Sequence, residues 1–382
     1  MTSPKRLAVL TTGRQDYGIL RGVLLLLARD RRFDLRLWVG GMHLRERFGR
    51  TVEHIRADGM RVARELDFVD EPPDPARDAA RAAEQTVLAL RQSRPDALLV
   101  VGDRHEVLGA AMAAVVERVP VAHLHGGEES EGAIDNVVRH AVTKLSHLHL
   151  VSHERHAQRV RQMGELPDSV IVVGAPGLDN RYRADLPDRA VLEIALDFKL
   201  APPLVIVTVH PTPFDQDPTA EVAQVAAAMA AVPATYIITQ PNADAGGSAI
   251  RDFWCGWSRG RAGVLMVDAL GEDRYWALLK MGAVVLGNSS SGVIEAPEIG
   301  APVVNVGERQ RGRLRGRGVL DVLAEAGAIT KALRQAIMPE ARARVAALPP
   351  TYSEGPAAPR IVDALAAWTP PYPPRKAFRD LQ

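Results

Sequence analysis

Short, continuous apolar runs, each ended by Gly, Asp, His or Asn and followed by a helix-like stretch, constrain the fold of this chain more than any other feature. They are LAVLTTG (7–13), LRLWVGG (35–41), ALLVVGD (97–103), PVAHLHGG (120–127), HLHLVS (147–152) and VIVVGAP (170–176). A second series follows with LVIVTVH (204–210), TYIITQP (235–241), VLMVDAL (264–270), AVVLGNSSSG (283–292) and PVVNVGE (302–308). Unbroken apolar runs bounded by polar turns suit strands buried on both faces, and their alternation with helices predicts parallel βαβ units. Two series in 382 residues predict two doubly wound α/β domains, 1–178 and 179–357, joined in a Gly-, Pro- and charge-rich stretch at 174–190. Residues 358–382 are expected to form a C-terminal helix and tail that return to the first domain.

Ligands of open parallel sheets collect beyond the carboxyl ends of the strands. The residues ending the runs here are unusually polar: Arg14 and Asp16, His43, Asp103 and Arg104, His123 and His125, His210, Asn288 to Ser291, and Arg309. Two domains facing each other with such edges are expected to enclose a polar cleft. Bulk composition points to no other partner. Lys and Arg number 47 against 46 Asp and Glu, so no global field argues for nucleic acid or a membrane surface. A single cysteine, Cys255, excludes a disulfide framework and a Cys-rich zinc site. The N-terminal apolar run is too short for a signal peptide, and the chain reads as soluble and cytoplasmic.

GNSSSGVIEAPEIGAP (287–302) is the most informative segment. Its serines open a helix after a strand, where free N–H groups and hydroxyls suit a diphosphate, and Glu295 is placed for ribose hydroxyls. The plainer alternative is an N-cap with spare serines. Of the five arginines at 309, 311, 313, 315 and 317, Arg309 sits at a strand end and can clamp phosphate; the others read as surface. Arg14 offers positive charge at the mouth of the first sheet, or else pairs with Asp16. Neither G-x-G-x-x-G nor a P-loop occurs. Asp103 reads as an active-site carboxylate or a helix N-cap. Asp135 and Arg139 have the i,i+4 spacing of an ordinary helix-surface pair. His123 and His125 share one strand face but lack further ligands at a recognisable spacing, so no metal site is assigned. His210, held extended by Pro211, is a candidate for proton transfer.

With these residues in place, the chain resembles the UDP-N-acetylglucosamine 2-epimerase family over nearly its whole length. The elements carrying the resemblance, in order, are GRQDYG, GGMHL with FG-x-T, GDR, H-x-x-GGE, AID-x-x-x-RHA-x-TKLSH, VVGAPGLD, VHP, GNSSSG-x-x-EAP and NVG-x-RQ. The resemblance implies two Rossmann-like domains of the glycosyltransferase-B-like kind, no cofactor, no required metal, and a homodimer or homotetramer. It implies UDP-N-acetylhexosamine as substrate and leans to the hydrolysing branch, which releases N-acetylmannosamine and UDP; interconversion of UDP-GlcNAc and UDP-ManNAc is the alternative. A glycosyltransferase or a non-catalytic UDP-sugar-binding protein are rivals of other types, because a fold alone does not name a chemistry.

By the same resemblance, Arg14, Arg104, His210, Ser289, Ser290, Glu295 and Arg309 match nucleotide or diphosphate contacts. Asp103 and Asp135 match acidic catalytic positions, and His43, Arg139 and Asp179 match sugar-side positions. One departure stands out: many relatives have H-x-E-G-G-E where this chain has His123-Leu-His125-Gly-Gly-Glu128. His125 thereby joins Asp103, Asp135 and His210 as a candidate catalytic group. The expected chemistry follows from the substrate. A hydrogen at C2 beside an acetal is not acidic, so UDP must leave C1 as the C2 proton is lost, and the resulting glycal is reprotonated from the other face.

Overall fold

The computed structural model describes residues 3–71, 74–129, 134–212, 217–241, 246–352, 355–377 and 379–380. The chain divides into two compact units. Unit 1 comprises Met1–Glu128, Ile134–Asp179 and Ser353–Gln382; unit 2 comprises Glu129–Ala133 and Asn180–Tyr352.

Unit 1 is built on a parallel seven-stranded sheet. Its strands are β1 (Lys5–Thr11), β2 (Phe33–Gly40), β3 (Val62–Leu66), β4 (Ala97–Val101), β5 (Val121–Leu124), β6 (Leu148–Val151) and β7 (Val170–Val172). They lie in the order β3-β2-β1-β4-β5-β6-β7. Successive residues of β1 enter opposite layers, Leu7 and Val9 one core and Ala8 and Leu10 the other. β4 does the same with Ala97, Leu99 and Val101 against Leu98 and Val100. This two-sided burial is why the central strands read as continuous apolar runs. The helix Ala357–Ala367 completes one layer, inserting Ile361, Val362 and Leu365 beside Leu20, Val23 and Leu24. Burying a side chain of this size contributes roughly 1.5–3 kcal/mol.

Unit 2 repeats the plan with six parallel strands: β8 (Leu204–Thr208), β9 (Thr235–Thr239), β10 (Val264–Val267), β11 (Val284–Gly287), β12 (Val303–Val306) and β13 (Val319–Val322). Their order is β10-β9-β8-β11-β12-β13. In each unit the strand order therefore reverses beside the first strand, between β1 and β4 and between β8 and β11. At these switch points the flanking loops splay apart and leave room for a ligand.

The eleven apolar runs are eleven of the strands, and the doubly wound α/β class is what the structure shows. Two strands carried no such run. β3 and β13 are edge strands with half-exposed side chains, so their sequences VAREL and VLDV mix polar and apolar residues. Among the described residues no helix is long and apolar enough to cross a membrane.

Candidate active-site residues

In unit 1 the ends of β4, β5 and β6 carry one connected polar network. β4 ends before Gly102-Asp103, and the Asp103 carboxylate pairs with the Arg139 guanidinium. Arg139, in the helix Asp135–Leu145, is 3% exposed and also donates to the Glu128 carbonyl (2.8 Å) and Asn136 Oδ1 (2.9 Å). Arg139 thus turns inward to Asp103 instead of forming the helix-surface pair with Asp135 that its spacing allowed. Nor is Asp103 a helix cap: Arg104 occupies the N-cap of the helix His105–Val116, without a side-chain cap bond. The pairing of carboxylate and buried guanidinium fixes both groups in place.

β5 ends at Leu124, and the next residue, His125, adopts a left-handed backbone (φ 66°) rare for a residue with a side chain. Its Nδ1 lies 2.6 Å from Glu128 Oε1, and that oxygen also accepts from Ser152 Oγ at 2.7 Å. Ser152 Oγ is in turn 2.9 Å from His156 Nδ1. Burial alone would raise the Glu128 pKa. Electrostatic attraction to His125 and the hydrogen bond with it, together with His156 and Ser152, outweigh burial and hold the carboxyl at about 2. Burial pushes His156 down to about 4, so it is neutral. His125 Nε2 is buried and, among the described residues, has no hydrogen-bond partner.

The other sequence candidates of unit 1 fall into two groups. His123, fully buried, sets Nε2 2.8 Å from the Gly102 carbonyl, and burial drives its pKa down to about 3. It is a neutral strut under the loop that carries Asp103. His43 is likewise buried: Nε2 meets Thr11 Oγ1 at 2.9 Å and Nδ1 meets Thr51 Oγ1 at 2.7 Å, with a pKa pushed by burial to about 4. Both ring nitrogens are occupied, so His43 braces the end of β1. Asp179 accepts from the N–H groups of Ala357 and Ala358 (2.7 Å each) and caps the helix Ala357–Ala367.

Arg14, by contrast, is exposed at the first turn of the helix Arg14–Leu27, while Asp16 is buried and accepts from Thr12 N and Oγ1. The surface couple of Arg14 and Asp16 is therefore not formed. Arg104 is forked onto Glu106 Oε1 (2.7 and 3.2 Å). Burial works against its charge, but Glu106, Asp16 and Asp135 outweigh that and raise its pKa. Asp135, half-buried, opens the helix that carries Arg139.

Unit 2 presents a different edge. The helix Ser290–Glu298 starts directly after β11, with Ser289 at its N-cap and no side-chain cap bond. The serine hydroxyls do not satisfy the first turn; Ser289 Oγ and Ser291 Oγ face each other at 3.0 Å. The turn is close-packed, since a Cβ at Gly287 (φ 133°) would lie 2.0 Å from the Thr208 carbonyl. Asn288, fully buried, ties the strand ends together. Its Oδ1 accepts from His210 N (2.7 Å), and its Nδ2 donates to His210 O (2.9 Å) and Glu221 Oε1 (2.6 Å). The Asn288 carbonyl accepts from Gln310 Nε2 (2.7 Å) and Arg309 Nη1 (3.3 Å), and Arg309 Nε reaches the Pro211 carbonyl (3.2 Å). His210, Ser289, Ser290 and Arg309 are thus brought to one place by a residue that carries no charge. Glu295, one turn further along the helix, has its pKa raised to about 7 by burial and by the nearby Glu272 charge.

Of the arginines read as surface, Arg315 and Arg317 have definite partners. Arg315 pairs with Asp321 (2.8 Å), and Arg317 donates to the carbonyls of Pro297, Glu298, Ala346 and Leu348. Among the described residues no group of three His, Cys, Asp or Glu side chains is arranged to hold a metal ion.

Residues 26–366 match the family model described as UDP-N-acetylglucosamine 2-epimerase. The chain is 36% identical over 338 residues to the "UDP-N,N'-diacetylbacillosamine 2-epimerase (hydrolyzing)" of Legionella pneumophila, covering 87% of this chain and 89% of the relative. It is 30% identical over 327 residues to the "GDP/UDP-N,N'-diacetylbacillosamine 2-epimerase (hydrolyzing)" of Campylobacter jejuni, covering 84% of each. Its fold matches the crystal structure of a Neisseria meningitidis UDP-GlcNAc 2-epimerase bound to UDP-GlcNAc, with a TM-score of 0.80, 18% identity, and 94% and 99% of the two chains covered. The chain belongs to the UDP-N-acetylglucosamine 2-epimerase family.

Proposed function

We propose that the chain is a hydrolysing 2-epimerase of a UDP-linked 2-acetamido sugar. Breaking the C1–O bond adds a negative charge to a diphosphate that already carries two, so the leaving UDP needs donors, and losing the C2 hydrogen needs a base. Unit 2 supplies donors at an uncapped helix N-terminus beside Arg309 and His210. Unit 1 supplies acid/base groups in Asp103, His125 and Asp135, with Arg14 and Arg104 as further cations. In the elimination, the C2–H pair becomes the C1–C2 double bond as UDP leaves. In the hydration, water gives oxygen to C1, and a proton reaches C2 on the other face. The sum is UDP-sugar plus water giving the C2-inverted free sugar and UDP.

The observation that carries the hydrolytic outcome is the likeness, over most of both chains, to two relatives whose names specify hydrolysis. Both names also specify a 2,4-diacetamido sugar, so UDP-N,N'-diacetylbacillosamine and UDP-GlcNAc are the two substrates to offer. Proton NMR of each with the enzyme should show free sugar and UDP accumulating together. Accumulation of a UDP-linked epimer would establish the non-hydrolysing alternative, and no reaction with either would sink the reading. The mechanism asks for no redox cofactor and no metal, so chelation should leave turnover unchanged. The same reading carries a cytoplasmic homodimer or homotetramer, which light scattering tests for its oligomeric part.

A further inference from the structure

Resting on that reading, we infer that Glu128 makes His125 the base of the reaction: the two form a dyad, and Ser152 with His156 holds Glu128 behind it. The protons along the chain of contacts fix the tautomers. Glu128 is ionised and only accepts. The short contact to His125 therefore puts a proton on Nδ1, and Ser152 spends its single proton on the same oxygen. Neutral His156 must then donate through Nδ1 to Ser152. With a proton on Nδ1, Nε2 is the ring nitrogen left to accept one, and among the described residues it is buried without a hydrogen-bond partner. Leaving an acceptor buried and unpaired is costly, so a group that donates a hydrogen bond or a proton to Nε2 is favoured there.

The loop around the dyad is clamped. His125 N donates to Leu150 O (3.1 Å), Arg159 binds the Gly127 carbonyl, and Arg139 binds the Glu128 carbonyl (2.8 Å). A side chain at Gly127 (φ 75°) would meet the His156 carbonyl at 2.4 Å. Arg139 also grips Asp103, so the dyad and the Asp103 carboxylate are set relative to each other by one guanidinium. In the proton-transfer step Nε2 takes the C2 proton, the C2–H bonding pair forms the C1–C2 double bond, and the C1–O pair departs on UDP. His125 becomes an imidazolium whose charge faces the Glu128 carboxylate. His125 is thus the catalytic residue, and Glu128, Ser152 and His156 are positioning residues.

A double-variant cycle on the full chain tests this, reading C2 deuterium exchange in heavy water, the isotope effect with C2-deuterated substrate, UDP affinity, and melting temperature. His125→Gln should lower exchange by about 10³-fold or more and Glu128→Gln by about 10²-fold, both with UDP affinity unchanged. The double variant should be no slower than His125→Gln alone, because the second loss acts only through the first. Glu128→Asp, which keeps the charge, should recover part of the rate, and the isotope effect should grow in Glu128→Gln as proton removal becomes slower. Losses that multiply in the double variant, or a Glu128→Gln defect that follows melting temperature with an unchanged isotope effect, would overturn the dyad. A wild-type enzyme with no C2 exchange at all would instead overturn the reading on which the dyad rests.

Discussion

The two units share a strand order yet present different chemistry at their carboxyl edges. Ten of the eleven histidines lie in unit 1, and His210 alone lies in unit 2. Unit 1 fills its strand ends with acid/base side chains whose partners are other side chains: Asp103 with Arg139, His125 with Glu128, Glu128 with Ser152. Unit 2 fills the same topological position with backbone donors and a guanidinium, gathered by the buried amide of Asn288. A side-chain relay sets proton affinity and direction, whereas a helix terminus and an arginine offer fixed positive potential. On the proposed reading one architecture serves twice: for proton transfer after the fourth, fifth and sixth strands of unit 1, and for anion binding after the first, fourth and fifth strands of unit 2.

The sharpest way to break this contrast is to remove acid/base groups from unit 1 and ask whether anion binding survives. Asp103→Asn and Asp135→Asn should each lower turnover by about 10³-fold while calorimetry shows nearly unchanged UDP affinity. Full turnover in either variant removes that residue from the acid/base set. Conversely, Arg309→Ala should weaken UDP binding by about 10- to 100-fold, the worth of a charged hydrogen-bonded contact. An unchanged UDP affinity there would take the phosphate role away from this edge.

A smaller effect concerns Glu295, whose carboxyl is held at about 7 by burial and Glu272. Ribose hydroxyls donating to it favour the ionised form, so binding releases a proton and UDP affinity should fall as pH drops through 7. Glu295→Gln should remove that part of the slope, read by calorimetry in buffers of different ionisation enthalpy; an identical slope in wild type and variant would remove Glu295 from the binding set. The smallest effect sharpens the contrast in stability. His43 and His156 (about 4) and His123 (about 3) are depressed below the ordinary 6.5, so the unfolded chain binds more protons than the folded one. Their stabilisation is present above pH 6.5 and is lost as pH falls towards 4 and 3, each unit of displacement being worth about 1.4 kcal/mol. Acid unfolding should therefore start in unit 1, which hydrogen exchange resolved along the chain can check.

Most of the fold was legible because strands buried on both faces must be apolar throughout, as in LAVLTT and ALLVV. β3 and β13 escaped because an edge strand needs only part of its surface covered. Candidates at strand ends, such as Asp103, His125 and Ser289, were legible because a polar residue closing an apolar run stands out. The site was less legible where a polar residue serves another residue. Asn288 stands among the polar residues that end the runs, but that its amide joins the ends of β8 and β11 follows only from the fold. Glu128 was visible three positions after His125, but that Ser152 and His156 stand behind it depends on β5 and β6 being neighbours. His43 and Asp179 carry polar groups that the fold turns to bracing and capping, which spacing along a chain does not reveal.

On the proposed reading, unit 1 takes a proton from carbon while unit 2 holds the departing diphosphate. Mass spectrometry of the free sugar formed by the wild-type enzyme in heavy water tests it most directly. One solvent deuterium at C2 of every product molecule, in the inverted configuration, is the expected result. Product that retains the original hydrogen at C2 would contradict the account.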